Sequence, residues 1–459
     1  MQAAAAAVAS PVVLSGTLGV SCPDASKARA PMKIKIRNAA SNFEREPLIR
    51  PFGFKGGYMT EIWQTAALLE SESGSREIGL CTQSVLWSDA AVFASHSASA
   101  AEAMMYVLTE RALQMVKGRS YETPIDLLEG IEDELHEYGK KLTGHPDLRK
   151  TFTLNALVGV DNAAWLLYAR ENGIVRFDDM IPPAFRPALS QHHETIASIP
   201  LMAYAIPISE IRQAVEQGYF FMKIKIGQPG TQDEMLEKDK QRLSDIHRAI
   251  GAMRTPYTKT GKLPYYFDAN GRYEKKETLL RLLDHARTIG AFDQIAIVEE
   301  PFPEALETDV RDLGVRLAAD ESAHTDKDAA KRIQMGYSAI AVKAIAKTLS
   351  MTMKIARVAH EKGVPCFCAD LTVNPILVDW NKNVAARLSP FPGLGLGLLE
   401  TNGHQNYRNW ETMVGYHPCA GAPWTKTDKG VFHLDKDFYD RSGGIFLASR
   451  HYREMFEAK

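Results

Sequence analysis

Residues 221–228 read FMKIKIGQ. Side chains alternate along a strand, so Lys223 and Lys225 share one face while Met222, Ile224 and Ile226 share the other. A face with two ammonium groups is comfortable in water, yet the surrounding pattern is that of a buried strand. The reading outward from this stretch asks what the two lysines face.

The flanking sequence is monotonous. Apolar runs recur as IPLMAYAI (199–206), YFFMKIKIG (219–227), LPYYFDAN (263–270), IAIVEE (295–300), VRLAADE (315–321), SAIAVKAI (338–345), VPCFCADL (364–371) and GLGLGLLE (393–400). Between them stand segments apolar at helical spacing: ISEIRQAVEQG, a long stretch to about residue 253, ETLLRLLDHARTIG, EALETDVRDLG, KDAAKRIQMG, SMTMKIARVAHEKG and NPILVDWNKNVAARL. Several stop at a glycine, where a left-handed cap belongs. Strand–helix alternation means a parallel sheet, and eight units suit a closed (β/α)8 barrel of the α/β class, with a doubly wound open sheet as the alternative.

In a barrel, chemistry sits where each strand ends and its loop begins. Strand two ends in Lys223 and Lys225, and strand three in Asp268 with Asn270 beyond it. Strand four ends in Glu299 and Glu300, strand five in Asp320 and Glu321, strand six in Lys343, strand seven in Asp370 and strand eight in Glu400. Any one such carboxylate is ordinarily a helix cap or a solvated ion-pair member. Together they place acids on three successive strands, flanked by lysines. Adjacent carboxylates do not all ionise unless something neutralises them, and oxygen-only ligands suit Mg2+, with Mn2+ as a substitute.

KIK at 223–225, DAN at 268–270, VEEP at 298–301, ADES at 319–322 and VK at 342–343 resemble the enolase superfamily, in the mandelate racemase/muconate-lactonizing enzyme branch that includes the dipeptide epimerases. The resemblance implies an N-terminal α+β capping domain, a modified TIM barrel and C-terminal residues that fold back on the cap. It implies Asp268, Glu299 and Asp320 as magnesium ligands, Lys225 and Lys343 as the acid/base pair, and Lys223 in support of Lys225. The implied chemistry is removal of the proton next to a carboxylate through an enediolate. Opposed lysines suit racemisation or epimerisation; acid-sugar dehydration and cycloisomerisation are alternatives on the same scaffold. Strand six carries lysine, and strand seven shows no histidine, which departs from a His–Asp dyad. The D-x-D that holds substrate ammonium in similar dipeptide epimerases is replaced by Glu400, Asn402 and His404. Asn270, Glu321, Asp370 and Glu400 are candidate substrate contacts. So are Phe54 and Tyr58, in PFGFKGGY (51–58), which reads as a mobile loop with aromatic tips, and Trp87, in SVLWSD (84–89).

Two readings come from other chemistries. A barrel lysine such as Lys343 could hold pyridoxal phosphate or form a Schiff base, against which the carboxylate trio argues. A catalytically inactive binding barrel is the non-enzyme alternative.

The 459 residues, 45% hydrophobic and 24% charged, are those of a soluble globular chain, and a net charge of -2 gives no footprint for nucleic acid or a membrane surface. The expected partner is a small carboxylate substrate, with self-association into a homo-oligomer. Five scattered cysteines fit a reducing compartment and a cytoplasmic location. The expected organisation is a disordered tail over 1–31, with targeting left open, a cap over 32–195, the barrel over 196–405 and a returning segment over 406–459.

Overall fold

The computed structural model describes residues 32–54 and 57–457; the expectations for residues 1–31 lie outside these. Four antiparallel strands open the chain: β1 (Ile34–Phe54), β2 (Gly57–Ser71), β3 (Arg76–Gln83) and β4 (Ser120–Tyr121), in the order β3-β2-β1-β4. Against the expectation of a loop, the described residues of PFGFKGGY, 51–54 and 57–58, belong to β1 and β2, with Phe52 opposite Met59 and Gly53 opposite Tyr58. Two long helices, α1 (Ala98–Val116) and α2 (Lys150–Glu171), pack on this sheet. Strand β3 lies so near α2 that a Cβ at Gly79 would stand 2.1 Å from the Gly159 carbonyl oxygen. Only glycine permits that approach.

The second sheet has ten strands: β5 (Thr195–Ile199), β6 (Leu201–Met202), β7 (Met222–Lys225), β8 (Tyr265–Asp268), β9 (Ile295–Glu299), β10 (Leu317–Ala319), β11 (Ala339–Val342), β12 (Cys366–Cys368), β13 (Gly397–Glu400) and β14 (Val431–His433). From β6 to β13 neighbours are parallel, and β13 pairs with β5. Because β5 and β6 are one segment interrupted at Pro200, the sheet returns on itself, which sets aside the open doubly wound alternative. The first strand therefore begins at Thr195, upstream of the expected IPLMAYAI, whose residues past Met202 turn away. Strand β14 runs antiparallel on the free side of β5, outside the eightfold alternation.

Helices follow most strands as the periodicity requires. ISEIRQAVEQG gives Ile208–Glu216 and reverses at Gly218 with φ +100; capping boxes at Thr231 and Thr325 start two others. EALETDVRDLG is a correction. It forms turns and a single 3-10 turn, Arg311–Leu313, instead of a helix. Asp309 accepts the Arg311 amide 2.9 Å away, a local bond that competes with helix formation.

Residues after β13 lie against the capping strands. Leu48 bridges to Tyr407, Asn409 donates to Glu46 at 3.0 Å, and His451 bonds Glu44 at 2.8 Å. No helix among the described residues is long and apolar enough to cross a membrane.

Candidate active site

Parallel register builds the site. Lys225 stands opposite Asp268, and Asp268 opposite Glu299, so three charged side chains form one row across β7, β8 and β9. Asp320 and Lys343 lie one residue beyond the ends of β10 and β11. All five are buried.

The lysines of the opening motif converge on one acid. Asp268 Oδ2 accepts from Lys225 at 2.5 Å and lies 2.9 Å from Lys223 Nζ. Lys223 also reaches Glu299 at 2.8 Å and Glu400 at 3.2 Å. Burial alone would depress Lys223, but Asp268, Glu299 and Glu400 outweigh it and hold the ammonium well above its ordinary range. The same contest, won mainly by Asp320 at 2.6 Å, raises Lys343. Asp268 and Asp320 are held low, against burial, by Lys223 and Lys225 and by Lys343 and Lys347 respectively. Glu299 behaves oppositely: burial, with Asp268 and Asp320 on either side, pushes it well up against the pull of Lys223.

Glu299, Asp320 and Glu321 each present an oxygen, all within 4.8 Å of one another. Three buried oxygen donors at that spacing fit a small hard divalent cation. This group shares Glu299 and Asp320 with the sequence-derived trio. Asp268 stands beside it, linked through Lys223, and its Oδ1 accepts the Asn270 amide. Asn270 in turn donates to Glu321 at 2.8 Å and accepts from Lys225 at 2.5 Å.

The other candidates divide. Asp370 Oδ2 accepts the Asn402 amide at 2.8 Å, and Glu400 Oε2 accepts the Asp370 amide at 3.0 Å, so both brace the rim loops. Trp87 enters from the cap, its ring centroid 4.3 Å from Lys343 Nζ. Phe54 covers Lys225 in the same manner at 5.9 Å. Tyr58 is displaced from the expected role: it is 69% exposed and does not line the cavity, where Phe54, also expected there, stands with Phe52.

Two participants, Lys347 and Tyr266, escape the sequence reading, and Glu300, read there only as a strand-four end, takes a role in the site. Lys347 is fully buried, donates to the Asp320 carbonyl at 2.7 Å and lies 3.3 Å from Asp320 Oδ1. Tyr266 donates its hydroxyl to Glu299. Glu300 accepts the Asp320 amide at 2.8 Å and the Ser322 hydroxyl at 3.0 Å, fixing the strand-five loop. The second lysine of AIAVKAIAK and the aromatic pair in LPYYFDAN were the available signals.

Backbone strain gathers on this rim. Asn270, Glu300, Thr348 and Thr372 have φ of +46, +39, +69 and +57. Left-handed backbone in β-branched threonine costs about 1–3 kcal/mol each, which persists where the surroundings dictate it.

The fold and this rim define a (β/α)8-type barrel with a charged site at its strand ends. Residues 208–394 match the family model described as enolase C-terminal domain-like, which bears out the resemblance read from KIK through VK. The dipeptide epimerase from Enterococcus faecalis V583, solved with Mg and L-Leu-L-Tyr, superposes with a TM-score of 0.60 at 15% identity, over 87% of this chain and 97% of that one. An enolase-superfamily member from Listeria innocua Clip11262 gives 0.63 at 17%, over 92% and 97%. The N-succinyl Arg/Lys racemase from Bacillus cereus ATCC 14579 gives 0.57 at 15%, over 82% and 89%. These likenesses establish the fold. No curated protein matches the chain.

Proposed function

We propose that this protein is a Mg2+-dependent isomerase that removes and returns the α-proton of a carboxylate substrate, as a racemase or epimerase. The observation that carries the reading is the placement of Lys225 and Lys343. They come from β7 and the end of β11, flanking the acids of the three intervening strands. Similar folds serve a dipeptide epimerase and an N-succinyl Arg/Lys racemase, which supports the same class.

In this reading Asp268, Glu299 and Asp320 hold the cation, with Glu321 within reach. When bound, the cation stabilises the negative charge that develops on the substrate carboxylate. One lysine takes the α-proton and the other supplies a proton to the opposite face, so the centre inverts. Lys223, tied to Asp268, Glu299 and Glu400, stays an ammonium and supports Lys225 through Asp268, the acid they share. Lys347 and Glu300 position Asp320 from behind.

Proton–deuteron exchange in D2O tests this across N-acyl amino acids, dipeptides and acid sugars, with and without Mg2+. Exchange with inversion and an intact carbon skeleton is expected; loss of water to a keto acid would instead establish a dehydratase.

A further inference from the structure

The segment RTPYTKTGK (254–262), between the helix Gln232–Ile250 and β8, takes no part in the site at the strand ends. It folds back on itself as an arm. Arg254 bridges to Lys262, the Thr255 amide donates to the Gly261 carbonyl at 3.0 Å, and the Thr258 hydroxyl donates to the Lys262 carbonyl at 2.7 Å. Tyr257 stacks on Phe220 with ring centroids 4.3 Å apart, which anchors the arm to the barrel. The arm walls a cavity of about 350 Å3 at the end of the barrel where the strands begin. Segments 263–264, 293–296 and 314–316, which lead into or open β8, β9 and β10, complete the wall with the loop 392–394.

This cavity is positively charged. Lys259, Lys262 and Arg316 line it against a single acid, Asp293, and none of the four forms an ion pair among the described residues. Arg316 is half-buried, sets its guanidinium 5.2 Å from the centre of the Phe391 ring and leaves Nε buried without a hydrogen-bond partner. Burial pulls it below its ordinary range, and no carboxylate counters that pull. A guanidinium keeps its proton in a protein, so the fold holds a partly desolvated cation with no anion beside it. Such a charge is costly to desolvate uncompensated, and a bound anion removes that cost.

We propose that this cavity binds a phosphate dianion, free or as the head of a small phosphate ester, with Arg316 at its base and Lys259 and Lys262 on the arm. The planar guanidinium presents paired N–H donors that match phosphate oxygens, and the lysines add point charges. Three cations against one acid leave two charges to be matched, which a dianion does and a monocarboxylate does not. The cavity is also roomier than one phosphate needs, leaving space for the organic part of an ester. Occupancy joins the arm to the starts of the strands whose far ends lead to Asp268, Glu299 and Asp320, and so stabilises the folded barrel.

Calorimetric titration of the metal-free protein at pH 8 and constant ionic strength tests this, with inorganic phosphate and glycerol phosphate as probes. Saturable binding and a rise in Tm with either probe are expected. Tighter binding of glycerol phosphate assigns the site to an ester, and equal binding assigns it to the free ion. Arg316→Lys is expected to weaken binding about tenfold and Arg316→Met to abolish it. The double variant Lys259→Gln/Lys262→Gln changes only the arm, keeps the fold by circular dichroism and is expected to lose about tenfold in affinity. The strand-end rim also carries ammonium groups, so these variants decide where the anion sits. Wild-type affinity in both Arg316→Lys and the double variant would place it elsewhere and overturn the proposal. Absence of saturable binding of either probe to the wild-type protein would overturn it equally.

Discussion

The ammonium of Lys343 lies 4.3 Å from the centre of the Trp87 ring, so a residue of the barrel is covered by one from the cap. The cap thereby takes part in setting that lysine's environment as well as excluding water. A desolvated cation–π contact is worth about 2 kcal/mol. Trp87→Leu is expected to lower the rate of α-proton exchange about tenfold, while Trp87→Phe, which keeps a π face, retains most of it. Lys343→Met abolishes exchange. Calorimetric Mg2+ affinity of Lys343→Met should stay close to wild type, and its loss would make Lys343 a support of the metal site.

Cation binding separates the acids of the row. Glu299→Gln and Asp320→Asn remove oxygens common to both candidate ligand sets, and each is expected to weaken Mg2+ binding at least about tenfold. Asp268→Asn is expected to do likewise and Glu321→Gln to do less, since the former leaves Lys223 and Lys225 without their shared anion. The reverse order in a Mg2+ titration would give the third position to Glu321.

The charged row was legible in the sequence for a simple geometric reason. Parallel strands in register bring their carboxyl ends to one rim, so strand-terminal residues become neighbours without knowledge of any loop. Lys347 lies past that limit, in the turn after β11, and that turn, closed by its amide on the Lys343 carbonyl, returns it to Asp320. The stretch 51–58 misled because its glycines read as loop, although Phe52 and Phe54 pair in a strand and line the cavity, Phe54 over Lys225. The missing helix at 304–314 shows the same limit, since the local Asp309–Arg311 bond overrides apolar spacing.

Arg149 joins three parts of the site at once. Its Nη2 donates to Glu304 Oε2 at 2.6 Å and to the Glu321 carbonyl at 3.0 Å, while its backbone amide donates to Asp89, two residues beyond Trp87. Removing the guanidinium frees the Glu321 loop from the cap. Arg149→Ala is expected to raise KM several-fold and weaken Mg2+ binding to a similar degree. Arg149→Lys should recover only part, because an ammonium does not reproduce the planar fork. Unchanged Mg2+ affinity in Arg149→Ala would confine this residue to general cap–barrel packing.

Glu102 sits beneath the turn that carries Trp87, with Oε1 accepting the Val85 amide at 3.4 Å and Oε2 buried without a hydrogen-bond partner. Burial, reinforced by Glu61 and opposed by the Val85 bond, pushes its carboxyl up to about 8. That lies above the ordinary value of 4.5, so the folded state holds the extra proton between the two. The corresponding stability is fully present below about pH 4.5 and is lost as pH rises through about 8, at about 1.4 kcal/mol for each pKa unit. Glu102→Gln carries no such proton. Its Tm relative to wild type is therefore expected to climb between pH 5 and 8 and level off above. A difference independent of pH across that range would mean that Glu102 is ionised in the fold and that the Trp87 turn rests on a charged acid.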